Sequence, residues 1–221
     1  MEKQLFVRID QYINALLASE DKALTRTIES LDRNEIPQIS ISAGQGKLLQ
    51  VFARICNARR ILEVGTLGGY SSIWLARTLP EGGRLVSLEI DPHHAMVAIE
   101  NIKIAGLSDK VEIRTGKAID ILEDMIARKE DPFDLIFIDA DKPPYTEYFD
   151  FAVKLSRMGS IIICDNVIRE GEVLNENTAD EKVKGVQRFN KMLSTDSRVT
   201  AIIMQQVGIK GHDGMAIAVV N

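Results

Sequence analysis

The chain has 221 residues, 45% of them hydrophobic and 27% charged, with a formal net charge of -5. That length forms one large domain or two small ones and buries a substantial core. The acidic balance argues against a nucleic-acid partner, the lack of a long apolar stretch against a membrane span, and two distant cysteines, Cys56 and Cys164, against a disulfide framework.

Met1-Glu2-Lys3-Gln4 opens an amphipathic segment rather than a secretory leader, so a cytoplasmic location is expected. Leu5, Ile9, Ile13, Leu16 and Leu17 keep a helical spacing, as do Leu24, Ile28 and Leu31. Pro37 interrupts, and residues 44–55 read as a third helix. From Arg60 the pattern becomes strand–helix alternation. Strand-like runs cover 60–64, 84–88, 111–115, 135–138, 160–164, 199–204 and 215–220, and helical stretches cover 71–78, 92–105, 118–128, 145–154 and 182–193. Such alternation predicts an α/β fold with a doubly wound, seven-stranded, mostly parallel sheet. The last two runs lack a helix between them, and the turn-rich link from Gly208 to Gly214 predicts an antiparallel C-terminal hairpin. The expected organisation is one domain, with an N-terminal helical cap over 1–58 and a cofactor-binding core over 59–221.

Two apolar runs end abruptly in acid clusters: Phe133 to Ile138, then Asp139-Ala140-Asp141-Lys142, and Ser160 to Cys164, then Asp165-Asn166. Functional groups of an open α/β sheet sit just past the carboxyl ends of its strands. Neighbouring strand ends would bring carboxylates, a carboxamide and a lysine to one spot. Hard oxygen donors without Cys or His point to magnesium or calcium rather than zinc. The first strand runs into Glu63-Val64-Gly65-Thr66-Leu67-Gly68-Gly69-Tyr70-Ser71, whose glycines let a ligand approach backbone amides. The spacing is not the Gly-x-Gly-x-x-Gly of a dinucleotide site. Glu89 ends the second strand, roughly twenty residues on, where a ribose-binding acid belongs. Beyond the third strand, Thr115-Gly116-Lys117-Ala118 leaves room for a flat base, or simply starts a helix.

With these motifs in order, the chain resembles the metal-dependent, S-adenosylmethionine-dependent O-methyltransferases of the catechol and caffeoyl-coenzyme A type, in a bacterial-like form. The resemblance spans about Ser40 to Val220. It implies a Rossmann-like class I methyltransferase fold and transfer of a methyl group to a hydroxyl of a vicinal dihydroxy aromatic small molecule, such as a phenylpropanoid or flavonoid. It further implies Asp139, Asp165 and Asn166 as ligands of Mg2+ (or Ca2+ or Mn2+), and Glu63, Gly65, Thr66, Ser71, Glu89, Ala118 and Asp139 around S-adenosylmethionine. Ile41 and Gln45 fall on the segment that closes over the cofactor, where many relatives carry a hydroxyl residue and an acid. Lys142 matches the proposed general base, which makes Lys142 and Asp139 the catalytic pair. A homodimer is expected because the family is commonly dimeric.

Three other readings compete. Asp141-Lys142-Pro143-Pro144-Tyr145 is superficially similar to the Asp-Pro-Pro-Tyr motif of amino-methyltransferases acting on nucleic acid or protein, but the lysine interrupts it. A nicotinamide-dependent reductase is opposed by the turn spacing, and a silent binding module by retention of the three ligand types. Several residues keep two readings. Tyr145 and Tyr148 wall a pocket or pack a helix face, Trp74 is core or walls an adenine pocket, and Asp141 holds a neighbour or caps a helix. His93 and His94 are expected at solvated positions, with a contact to the adenine edge as the alternative; His212 is expected in the hairpin turn, and Arg169 either meets an acidic substrate tail or is a solvated charge.

Overall fold

Four apolar runs form the centre of the parallel part of the sheet because β-branched and aromatic residues fill it from both faces, and the alternating run Val111–Thr115 completes it at the edge. The computed structural model describes residues 2–221, so Met1, where the expected cap begins, lies outside the described residues. Three helices come first: α1 (Glu2–Leu17), α2 (Lys22–Arg33) and α3 (Ala43–Ile55). There follow β1 (Arg60–Val64), α4 (Tyr70–Ala76), β2 (Arg84–Glu89), α5 (Pro92–Ile104), β3 (Val111–Thr115), α6 (Ala118–Ala127), β4 (Phe133–Ile138), α7 (Tyr145–Lys154) and β5 (Ser156–Asp165). A short 3-10 segment over Arg169–Leu174 leads to α8 (Glu181–Leu193), β6 (Val199–Gly208) and β7 (Gly211–Val220). The strand order is β3-β2-β1-β4-β5-β7-β6, parallel through β5 and antiparallel at β7 and β6.

The expected doubly wound sheet is therefore present, with two differences of extent. The hairpin link is not seven residues but two, Ile209 and Lys210, because pairing continues to Gly208 opposite Gly211, which takes φ 95°. Five residues that read as a polar turn, His212 and Asp213 among them, are thus ladder residues or its closing pair. A hydrogen-bonded ladder does not require apolar side chains on a strand half exposed to solvent. The fifth strand also begins earlier than its apolar run, at Ser156, through a register shift against β4.

Each face of the sheet carries its own apolar cluster. On one, Leu62, Val64, Ile136 and Ile138 meet Tyr145, Phe149 and Phe189. On the other, Ile61, Leu135, Phe137 and Ile163 meet Leu24, Leu49, Ile73 and Trp74. The period of two along β1 and the end of β4 splits neighbours between the faces. At the amino ends of the strands, buried Asp134 accepts the amides of Arg59 (2.7 Å) and Arg60 (3.0 Å) and the guanidinium of Arg157. Burial opposes its charge, but these donors outweigh that and hold the carboxyl below its ordinary range.

Strand order reverses between β1 and β4, and that switch point opens a crevice at the carboxyl ends. Gly65 leaves β1 with φ 99°, and a Cβ there would overlap the main-chain carbonyl of Asp139. Only glycine lets the two strand ends come this close. The cap meets the same crevice through α3, which starts in a reciprocal capping box: Ser42 Oγ accepts from Gln45 N, and Gln45 Oε1 from Ser42 N.

Candidate active site

A cavity of about 1190 Å³ lies over the switch point, lined by the ends of β1 to β5, the segment from Gln38 to Gln45, one face of α1 and the hairpin tip. Gly65, Thr66, Ser71, Glu89, Ala118, Asp139, Lys142, Asp165, Asn166 and Ile41, all singled out in the sequence, line it together. Glu63 alone sits beneath it, fully buried.

Glu63 Oε2 accepts the hydroxyls of Ser72 and Ser87, while Oε1 is buried without a partner. Burial pushes its carboxyl up to about 7, against the pull of the neighbouring serine hydroxyls. An orphaned acceptor under a glycine turn fits the ammonium of an amino-acid moiety. Because Ser87 gives its proton to Glu63, Thr66 Oγ1 donates to Ser87 Oγ, so the Thr66 hydroxyl is satisfied within the protein. Glu89 does more than end a strand. Its Oε2 accepts from Thr66 N (3.2 Å) and Leu67 N (2.7 Å), and its Oε1 from Asp91 N (3.0 Å). A carboxylate has about four lone-pair sites, so the residue that locks the turn keeps capacity for a ribose hydroxyl.

Across the crevice Lys142 is buried, and its Nζ donates to Asp139 Oδ1 (3.2 Å), Tyr145 OH (2.6 Å) and the Asp165 carbonyl (3.3 Å). An ammonium has three donors, and all three are used. Tyr145 is itself fully buried and donates to the Asp165 carbonyl at 2.8 Å, so it supports the lysine from below instead of walling the pocket. Tyr148 does line the cavity, donating to Asp141 Oδ1. Asp165 is 1% exposed; burial first, then the charge of Asp139, push its carboxyl up, with Lys142 opposing. Asn166 follows at φ 58°, a left-handed conformation that asparagine tolerates. Among the described residues no three His, Cys, Asp or Glu side chains meet as a metal cluster. The set here is two carboxylates and one carboxamide, all hard oxygen donors, and a buried Asp165 beside half-buried Asp139 favours positive charge nearby.

The structure decides the open cases. Trp74 is core, packed where Gly46 leaves no room for a Cβ. His93 contacts the Asn34 carbonyl, whereas His94 departs from its expected solvated position and lines the cavity 3.8 Å from Glu89. His212 contacts Gln205 Oε1 from within β7. Two contributors escaped the sequence. Gln206 accepts from Gln45 Nε2 (3.1 Å), which also reaches Asp165 Oδ2 (3.4 Å). Asp213 Oδ1 accepts the amides of Ile168, Arg169 and Gly214 and so fixes the loop beyond Asn166. Neither had a local signal, because most of their partners are remote in sequence.

An open sheet in this order, with a glycine turn and an acid at its switch point and an antiparallel final pair, is the frame of a Rossmann-like methyltransferase. A family model described as O-methyltransferase matches residues 15–219. A catechol O-methyltransferase of Niastella koreensis is 55% identical over 221 residues, covering 100% of both chains. One of Mycobacterium tuberculosis is 42% identical over 213 residues, 96% of this chain and 95% of the other. The crystal structure of the O-methyltransferase TomG from Streptomyces achromogenes, in complex with SAM, superposes with a TM-score of 0.96 at 45% identity, covering 100% of this chain and 99% of that one. The chain belongs to the O-methyltransferase family and is an S-adenosylmethionine-dependent O-methyltransferase. The amino-methyltransferase reading is not favoured, and buried Lys142 breaks its motif structurally as well. No helix among the described residues is long and apolar enough to cross a membrane.

Proposed function

We propose that the enzyme methylates one hydroxyl of a vicinal dihydroxy aromatic small molecule in a reaction that depends on a divalent cation, Mg2+ or else Ca2+ or Mn2+. The observation that carries this reading is the meeting of Asp139, Asp165, Asn166 and Lys142 beside the glycine turn. Asp139, Asp165 and Asn166 would hold the cation, and Glu63, Gly65, Thr66, Ser71, Glu89, Ala118, Ile41 and Asp139 the S-adenosylmethionine. A bound cation supplies Lewis acidity that lowers the pKa of a coordinated hydroxyl. With only three protein oxygens to hold the cation, an acceptor that offers two adjacent hydroxyls would suit the set better than a monophenol.

The protein's own groups then have separable duties. Lys142 holds Asp139 through a hydrogen bond. To take a proton from the acceptor, its Nζ has to be neutral with a lone pair free, which requires at least one of its three present contacts to be released. Tyr145 keeps the lysine stem and the β5 end in register. Asn166 adds an oxygen without charge, so two carboxylates balance a dication and an ionised acceptor is not repelled. The segment from Gln38 to Gln45 lines the cavity and would limit the access of water to a bound cofactor.

The same reading takes residues 1–58 as a cap on a core over 59–221 within one methyltransferase domain, and the protein as a cytoplasmic homodimer without nucleic-acid or membrane partners. The test is a methylation screen of catechols, flavonoids and acyl-coenzyme A esters, with magnesium and with chelator. Product on vicinal diols that vanishes with chelator is expected. Activity that survives chelator, or no product on any diol, overturns the reading.

A further inference from the structure

We propose that Arg169 is a specificity residue that binds an anionic substituent, a carboxylate, on the aromatic diol; this rests on the diol reading above. Arg169 lines the cavity three residues beyond Asn166. Its Nε is buried and meets no acceptor. Arg60, Arg77, Arg114, Arg128, Arg157 and Arg198, in contrast, each sit against a carboxylate of the protein. Of the acids on the same cavity wall, Asp213 accepts three amides through Oδ1, Asp141 holds Tyr148 and Asp10 accepts from Ile209 N, and none of them forms an ion pair with Arg169.

A buried N–H without an acceptor is costly unless something else satisfies it, and Arg169, half-buried, keeps the rest of its guanidinium on the cavity. The local backbone is arranged at a cost as well: Arg169 and Glu170 both take left-handed φ, 54° and 55°. Such conformations persist where surroundings enforce them, and the two amides donated to Asp213 do so here. The planar fork of arginine matches a carboxylate with two parallel hydrogen bonds. Lys182 and Lys210, exposed on the same cavity, add positive potential at its mouth. A neutral diol would leave the guanidinium unsatisfied, so the site discriminates by charge.

The experiment uses the full chain with S-adenosylmethionine and magnesium. KM and kcat are measured for 3,4-dihydroxybenzoate and for its neutral methyl ester, with wild type, Arg169→Gln and Arg169→Lys. Loss of one charge-assisted contact is expected to raise KM for the acid about 10–100-fold in Arg169→Gln. KM for the ester stays near wild type, kcat changes little, and Arg169→Lys recovers part of the loss. A defect equal on acid and ester, or no defect on the acid, overturns the assignment while leaving the diol reading standing. If wild type methylates neither compound, the assignment falls, while the diol reading falls only if the wider screen also yields no product on any diol. Ester turnover by each variant reports that it has folded.

Discussion

Three buried ionisable groups, Glu63, Lys142 and Asp165, carry two predictions at the residue scale. Glu63 has an ordinary value of 4.5 and is held near 7, mainly by burial, with the charge of Asp139 adding to it. Between those values the folded protein keeps a proton that the unfolded chain has released. The stabilisation is complete below 4.5 and is lost as pH rises through 7. Glu63→Gln stays neutral throughout, so the stability gap in favour of the variant should grow by up to roughly 3 kcal/mol from acid to pH 8. Chemical denaturation at pH 5 and pH 8 measures it, and a gap that does not widen refutes the assignment. The second prediction concerns Lys142 and Asp165. General-base help is worth about 10²–10⁴-fold, whereas holding reactants in line is worth roughly 7–11 kcal/mol. Asp165→Ala should therefore lower kcat more than Lys142→Ala, both with saturating magnesium, and the reverse order would sink this ranking.

At the scale of elements, the start of α3 joins two duties in one side chain. Gln45 closes the capping box with Ser42 and also reaches Asp165 and Gln206. Gln45→Ala keeps the bond from the residue 45 amide to Ser42 Oγ and loses only the reciprocal bond from Ser42 N, worth about 0.5–1.5 kcal/mol. It is expected to weaken cation binding as well, whereas Gln206→Ala should affect cation binding with the capping box intact. Calorimetric titration with Mn2+ beside thermal melts separates the two effects. Unchanged cation affinity in Gln45→Ala would mean that the contact with Asp165 is incidental. The third helix was expected from residue 44, one residue inside its start at Ala43, and neither its capping box nor the reach to Asp165 was read in the sequence; the latter spans the chain from the cap to the fifth strand. The hairpin shows the same limit from the other side. Gly208 and Gly211 marked a turn correctly, yet the polar residues between them and the apolar run concealed how far the ladder continues, because the partner strand and not the side-chain pattern sustains the pairing.

For the whole molecule, the notable surface is apolar and belongs to α1 and β6. Leu5, Tyr12, Leu16 and Leu17 are more than half exposed on α1, and Ile202, Met204 and Val207 on the edge strand. Apolar surface of this extent, next to an unpaired strand edge, is the signature of an association face. The proposed homodimer would cover it. Leu16→Glu combined with Ile202→Lys should halve the mass seen by sedimentation equilibrium while leaving the monomer folded; a wild-type monomer at micromolar concentration would exclude this dimer.

The sequence by itself determined the sheet, because strand periodicity and apolar run length respond to burial on both faces, which is a local property. It also determined which residues stand at strand ends, since acids and glycines directly follow the apolar runs. Only the tertiary structure decided what those residues do to one another. It made Glu89 the lock of the glycine turn and Glu63 a buried acid with a free oxygen. It set Lys142 on Tyr145 and drew Gln45, Gln206 and Asp213 to the crevice. Except for Lys142 and Tyr145, which are three residues apart, these facts depend on strand order and on contacts between residues distant in the chain, for which no spacing along the sequence leaves a mark.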